Sequence, residues 1–381
     1  MERSSSPLNA SLRGGVDSFD DVAIPCSCEI ASSLTSFVSR NDGQRLEIII
    51  MINSLQNRNP LKIAYFGSPN FSASFLTLLR EHAQGLNIVI EIVFTQPNRP
   101  AGRKLLWQPT PVKKASQEAS ILVFDKPLGE NPAEIKGLLE KHAIDLAVLF
   151  AFNEIIPDEL LGVPKYGFWN IHPSLLPKYR GPSPGSYPLC LGDKLTGVTL
   201  MQMDTKMDTG DIIGQIAFAL EASDAQQTVL NKVPGLALSM VKEHLPKLGT
   251  ETYTKQDEAL ATYTRKLKRE DGYIAISVLQ QLSHDEKLSV NALPLVSEFY
   301  NKNTSYTPPE YINLQNLYHL WQGLHPWPGV WTTVPTPEGE KRLKIIEMQK
   351  MNGEPTITQV QMEGRNVVTL KEFQESYPGT L

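Results

Sequence analysis

Asn170 and His172 stand two positions apart at the end of residues 167–172, a short apolar run of strand-like composition. Side chains alternate across a strand, so these two share one face while Ile171 packs on the other. A hydrogen-bond donor and a titratable imidazole then meet in one pocket at the strand's carboxyl end. A partner for the ring follows: Met203-Asp204-Thr205-Lys206-Met207-Asp208-Thr209-Gly210-Asp211 is an acid-rich turn after a second strand-like run at 197–203. Folded back over the sheet edge, Asp208 could orient the imidazole and set its charge state. Taken singly, each residue is also ordinary structural material, because Asp, Thr and Gly form turns wherever a chain reverses.

The elements that must bring them together alternate between strand and helix. Residues 61–66 read as a strand, Gly67-Ser68-Pro69-Asn70 as a turn, and Phe71, Phe75, Leu78 and Leu79 as one face of a helix. Further strands are expected at 88–95, 145–152, 197–203 and 211–219, with helices at 111–119, 133–142 and 227–244. Such alternation specifies an α/β fold with a doubly wound, mainly parallel sheet over 61–250, and ligands of such sheets bind beyond the carboxyl ends of strands. Residues 251–313 are polar, carry Pro308-Pro309, and read as a linker with an insertion. Residues 314–381 hold a helical stretch at 314–324 and alternating runs at 341–348 and 356–362, which predict a small β-rich C-terminal module. The turn after the first strand holds Gly67 without further glycines, and no Gly-Lys-Ser/Thr occurs, so neither a dinucleotide nor a phosphate-loop fingerprint is present.

Composition narrows the remaining classes. The chain has 381 residues, 36 basic and 41 acidic, for a formal charge of -5, which excludes a uniformly basic coat but not a local basic patch. Cys26, Cys28 and Cys190 are too few for a disulfide framework, and no second pair completes a zinc site around the first two. The aliphatic run at 48–52 is far short of the ~20 residues that span a bilayer, so no membrane association is expected. Residues 1–60 are rich in Ser and Asn and read as a leader, either disordered or an organellar transit segment. Asp17, Asp20, Asp21 and Glu29 weigh against transit, and Met51 offers an alternative start.

Several strings in order resemble one family. Asn-Ile-His-x-Ser-Leu-Leu-Pro at 170–177, Thr-Gly-Val-Thr-Leu-Met-x-Met-Asp at 196–204 and Met-Asp-Thr-Gly-Asp at 207–211 resemble the 10-formyltetrahydrofolate-dependent formyltransferases, in particular those acting on methionyl-tRNA. Gly-Ser-Pro-Asn-Phe at 67–71, the 94–103 segment, Thr-Tyr-Thr-Arg-Lys-Leu at 262–267, His-Pro-Trp-Pro at 325–328 with Trp331, and Gln-Met-Glu-Gly-Arg at 361–365 extend the likeness. It covers 61–250 well and 260–381 in patches. The resemblance implies a Rossmann-like formyltransferase fold, 10-formyltetrahydrofolate as the formyl donor with no metal, and the amine of methionylated initiator tRNA as acceptor. Asn170 would hold the oxyanion of the tetrahedral intermediate, His172 would donate to it or relay protons, and Asp208 would set the ring's charge and help deprotonate the amine. Phe152, Asn153, Ser174, Leu175, Leu176 and Pro177 would line the folate site. Asn153 and Lys206 depart from the glycines the pattern carries there.

Between Arg99 and Lys114 lie five basic residues, Arg99, Arg103, Lys104, Lys113 and Lys114, with Trp107 and no acid, a composition suited to phosphate contact and base stacking. The resemblance places Arg99, Arg103 and Lys104 in a loop that meets the acceptor stem, although Leu105 and Leu106 stand where a second Lys is usual. Arg265, Lys266, Lys268 and Arg269, and then Lys341, Arg342 and Lys344, form two further basic sets. A monomer with no DNA partner is expected, in the mitochondrial matrix or, for a bacterial protein, the cytoplasm. Two alternatives stay open: a formyltransferase acting on an amino sugar or purine precursor, and a non-catalytic RNA-binding relative.

Overall fold

Alternate residues of the first strand go to opposite layers. In β1 (Leu61–Gly67), Ile63 and Tyr65 join one apolar cluster and Ala64 and Phe66 another, and all four are buried. A strand loaded on both faces belongs inside a parallel sheet covered by helices on each side. The computed structural model describes residues 59–101 and 106–381 and contains such a sheet; all but the last two residues of the expected leader, with Cys26 and Cys28, fall outside the described residues. The strands β2 (Ile88–Phe94), β3 (Arg99–Ala101), β4 (Leu106–Gln108), β5 (Leu122–Phe124), β6 (Leu146–Phe150), β7 (Phe168–His172), β8 (Leu195–Gln202) and β9 (Ile212–Ala219) follow in the chain. Seven of them form one sheet in the order β5-β2-β1-β6-β7-β8-β9, parallel from β5 to β7 and antiparallel from there on, while β3 and β4 pair as a separate hairpin.

The connecting helices are α1 (Asn70–Glu81), α2 (Ala83–Leu86), α3 (Pro111–Glu118), α4 (Pro132–Lys141), α5 (Asp158–Leu161), α6 (Tyr187–Leu191) and α7 (Gln226–His244). Phe75 and Leu79 of α1 and Val233 and Val241 of α7 cover one face, and Ile135 and Leu139 of α4 the other. On that second face Phe66 stacks on Phe94 with 4.4 Å between ring centres. Truncating Phe66 to Ala should cost about 3–5 kcal/mol. At α3, Thr110 accepts from the Lys113 N–H at 3.0 Å and Pro111 takes the first helical position, the cap that ends the β3–β4 segment.

The C-terminal part is an antiparallel sheet of β10 (Trp331–Thr336), β11 (Gly339–Met351), β12 (Glu354–Met362) and β13 (Val367–Thr369). Its core is not self-sufficient. Within residues 251–313, expected to be irregular, the chain forms α8 (Ile276–Ser283) and α9 (Pro294–Lys302), followed by α10 (Leu314–Leu324), and α11 (Leu370–Ser376) ends the fold. Leu279, Leu282, Leu295 and Phe299 of α8 and α9 pack with Leu317, Leu343, Ile345 and Val360 in one cluster. Both helices are short and separated by Lys, Asn and Asp, which hides their apolar spacing in the sequence. The cluster also takes in Tyr179, Tyr187 and Cys190 from the first part, and Pro60–Leu381 form one unit. α10 lies tightly on α6, because a Cβ on Gly323 would come 2.3 Å from the Cys190 Sγ.

Candidate active site

β7 carries Asn170 and His172 on the face occupied by Phe168, with Trp169 and Ile171 in the opposite layer, as the alternation requires. Both polar side chains are buried, and Pro173 ends the strand. The His172 Nε2 lies 3.0 Å from the Tyr179 carbonyl oxygen. A carbonyl can only accept, so Nε2 carries a proton, and Nδ1 is the nitrogen at which a further proton can arrive or leave. Nδ1 faces Asp208 Oδ1 at 3.6 Å, and the Asn170 amide nitrogen faces the same oxygen at 3.5 Å. The other carboxylate oxygen, Oδ2, accepts from the Gly181 N–H at 2.7 Å. One oxygen of Asp208 is thus fixed to backbone and the other shared loosely between amide and ring. Such long contacts are what a reacting group can enter and tighten.

Asp208 arrives by an indirect route. β8 pairs antiparallel with β7, Trp169 opposite Gln202, so the chain leaves β8 beside the start of β7 and must fold back along its face. It does so with Asp208 at φ +57° and with Gly210 so close to Gln202 that a Cβ would sit 1.8 Å from the Gln202 carbonyl oxygen. Thr209 donates from Oγ1 to Asp204, and the Lys206 N–H donates to Asp204 Oδ1 at 3.0 Å. Lys206 itself is exposed and keeps an ordinary φ, so the absent glycine leaves no strain there.

Residues 179–181 form a strap beside the two catalytic candidates. The Arg180 N–H donates to the Thr262 carbonyl at 2.8 Å and the Thr264 N–H to the Arg180 carbonyl at 2.7 Å. Tyr179 takes φ +63° and sends its ring into the C-terminal cluster near Phe299, with its hydroxyl on Asp193 at 2.5 Å. Burial, with Asp193 and Tyr306 beside it, drives that phenol's pKa far above its usual value. Arg180 is fully buried and bonded to Gln256, Glu258 and Tyr263; burial opposes its charge, but the bonds to Glu258 and Tyr263 hold it above its usual value. The Gln256 side chain in turn donates to the carbonyls of Asp208 and Gly210 at 2.9 and 2.7 Å. Tyr179, Arg180 and Gly181 follow directly on the 170–177 string that carries Asn170, whereas nothing in the polar stretch around Gln256 marked it.

A cavity of about 630 Å³ opens at the carboxyl ends of β1, β2, β6 and β7. Asn170, His172 and Asp208 lie on its wall, with Phe71, Phe152, Ile155 and Leu230 as apolar lining. Asn153 also lines it, at φ +68°, the left-handed region in which Asn is the nearest substitute for glycine. The expected folate segment is placed differently. Ser174, Leu175, Leu176 and Pro177 do not line the cavity: Ser174 Oγ donates to the Lys178 carbonyl at 2.7 Å, Thr199 Oγ1 donates to the Ser174 carbonyl at 2.7 Å, and Gln215 donates to the Leu176 carbonyl at 2.8 Å. These residues build the loop that carries the strap. They support the site from behind.

Arg99 borders the cavity and donates to Gln96 Oε1, while Gln96 Nε2 donates to Glu154. Arg103 and Lys104 fall outside the described residues. Lys113 is spent on Asn98 and Asp125, at 3.0 and 2.7 Å. Leu106 and Trp107 on β4 stand 60% and 72% exposed. Of the later basic sets, Arg265 is locked by forked bonds to Asp271 and Glu298, which hold its guanidinium above its usual pKa, and Lys341 and Arg342 lie near Glu338 and Glu363. Among the described residues no group of three or more His, Cys, Asp or Glu could hold a metal ion, and no helix is long and apolar enough to cross a membrane.

A family model described as formyl transferase matches residues 61–243. The methionyl-tRNA formyltransferase of Staphylococcus aureus (strain JH1) is 33% identical over 316 residues, 81% of this chain and 87% of its own length. That of Staphylococcus epidermidis (strain ATCC 12228) is 33% identical over 288 residues, 75% and 78% of the two chains. Among solved structures, a variant of HypX from Aquifex aeolicus aligns with a TM-score of 0.50 at 15% identity, over 84% of this chain and 48% of that one, a likeness of fold.

Proposed function

The chain belongs to the methionyl-tRNA formyltransferase family, and from that premise we propose that it moves a formyl group from 10-formyltetrahydrofolate to the α-amine of methionyl-tRNA. The observation that carries this reading is the meeting of Asn170 Nδ2, His172 Nδ1 and Asp208 Oδ1 on one cavity wall, the two nitrogens at 3.5 and 3.6 Å from that oxygen. The amine nitrogen bonds to the formyl carbon, the bond from that carbon to N10 of the donor breaks, and one proton passes from the amine to N10. Asn170 donates to the oxygen as it becomes negative, an interaction stronger in the transition state than before it. His172 has Nε2 committed to Tyr179, so Nδ1 and the loosely held Oδ1 of Asp208 are the atoms that take and return the proton. The cavity's volume and its apolar walls at Phe71, Phe152 and Ile155 suit a pteridine with the polar atoms grouped at one end.

The tRNA part of the reading is supported by the family and by Arg99 at the cavity rim beside the exposed Trp107. Purified protein with 10-formyltetrahydrofolate and methionylated initiator tRNA should yield formylmethionyl-tRNA, acting as a monomer. Absence of product there, with formylation of an amino-sugar control, would replace this reading by its sister activity. We also assign the leader a targeting role to the mitochondrial matrix, on its Ser-rich composition; a reporter carrying residues 1–60 that stays in the cytoplasm removes that assignment.

A further inference from the structure

No sheet ladder holds Asp208. It lies beyond the last β8 pair, in a turn folded back along β7, and takes a left-handed backbone that a residue other than glycine adopts only under constraint. Something must hold that turn. The Gly181 N–H fixes one carboxylate oxygen, and the Gln256 amide fixes the main chain, since its Nε2 donates to the carbonyls of residues 208 and 210 at 2.9 and 2.7 Å. The orientation of the amide is decided from the other side. Gln256 Oε1 accepts from Arg180 Nε at 3.0 Å and Nη2 at 2.9 Å, so a flipped amide would set donors against donors and oxygen against oxygen.

Arg180 is itself saturated. A guanidinium has five N–H donors. Two go to Gln256, two to the Glu258 carboxylate at 2.7 and 2.8 Å, and one to the Tyr263 hydroxyl at 2.9 Å. Fully buried, it has no donor left for a phosphate or carboxylate of any substrate. Its two chain neighbours hold the remaining catalytic contacts, Tyr179 through its carbonyl on His172 and Gly181 through its amide on Asp208.

We propose that Gln256, set in place by the buried Arg180, is a positioning residue that keeps Asp208 aimed at the reacting atoms. The proposal rests on the formyl-transfer reading for its rate effect, and on geometry alone for its effect on the turn. In Gln256→Ala the single-turnover rate of formyl transfer should fall by about 10- to 100-fold, with KM for both substrates within about twofold, the pattern of a contribution made in the transition state. Exchange of the Gly181 amide, which donates to the Asp208 carboxylate and follows Gln256's other partner Arg180, should quicken by about tenfold or more as the turn loosens, both here and in Gln256→Glu, where the pairing with Arg180 is kept. Gln256→Glu separates this role from a structural one, because a carboxylate still pairs with Arg180 but cannot donate to two carbonyls. It should keep the fold, with a Tm lowered by the oxygen it sets against those two carbonyls, and remain slow. Wild-type rate in Gln256→Glu, or unchanged Gly181 exchange in Gln256→Ala, overturns the proposal. A wild-type protein that forms no formylmethionyl-tRNA overturns the functional reading instead, and the exchange measurement still decides the positioning.

Discussion

His172 and Arg99 border one cavity, yet the regions that carry them are built on opposite terms. At the end of β7 the polar groups are committed before any substrate arrives: His172 Nε2 to Tyr179, Asp208 Oδ2 to Gly181, and the Asp208 turn to Gln256. On the β3–β4 hairpin Leu106 and Trp107 are largely exposed, and among the described residues the Arg99 side chain is held through Gln96. Chemistry that stabilises developing charge gains from donors fixed in advance, because no reorganisation is needed as the charge appears. A surface for a large polyanion gains from side chains that bury only against their partner.

The contrast is broken most severely on the fixed side. Asn170→Ala should lower kcat by about 10²–10³-fold, and His172→Ala by about 10²–10⁴-fold, with tRNA affinity nearly intact. If either variant instead raises KM for tRNA with kcat unchanged, the site at β7 is a binding surface and the division fails. Next comes Gly210→Ala, whose added Cβ meets a backbone oxygen at 1.8 Å. The turn must move, so kcat should drop by about tenfold or more with a loss of stability of about 1–3 kcal/mol, read by turnover and denaturant midpoint.

On the open side the expected loss moves to binding. Trp107→Ala should raise KM for methionyl-tRNA by about 5- to 150-fold if a base stacks on the ring, leaving folate KM and Tm as they are. The sequence adds Arg103→Ala, which should weaken tRNA use far more than folate binding. Equal losses in both would falsify the separation of the two faces.

The smallest effect belongs to neither region. His319 on α10 faces Gly192 after α6, and burial, aided by Lys194 and Lys350, lowers its pKa to about 4 from 6.5. The folded state therefore resists a proton that the unfolded chain accepts. Stability is full above pH 6.5 and is lost as pH falls toward 4, on the order of 1–3 kcal/mol from this group. Calorimetry across that range should show Tm falling with acid, and His319→Gln should flatten the slope.

The site was legible in the sequence where local periodicity governed it. A five-residue strand forces Asn170 and His172 onto one face, and a nine-residue turn between β8 and β9 keeps Asp208 within reach, so two short-range rules bring the three together. The doubly wound sheet was legible for the same reason. What stayed hidden depends on distant partners. Gln256 acts on a turn 48 residues away, and its amide looks like any polar residue in a polar stretch. Ser174 to Pro177 follow the catalytic strand in sequence, yet their polar groups turn to Thr199 and Gln215 rather than to the cavity. α8 and α9 escaped notice because each buries only a few side chains, and those in a cluster whose other members lie far off in the chain, from Tyr179 and Tyr187 before them to Leu343 and Val360 after them.

Tyr179 gives the chain an unusual inheritance. Its carbonyl fixes the histidine of the first part, and its ring lies among Phe299 and Tyr306 of the second. A gene fragment ending near residue 250 would encode Asn170, His172 and Asp208 and still lack the packing that sets His172. The C-terminal part of this chain is therefore a support of the histidine as well as a neighbour of the catalytic sheet, and a substitution under the Tyr179 ring is felt at His172 through the carbonyl it carries.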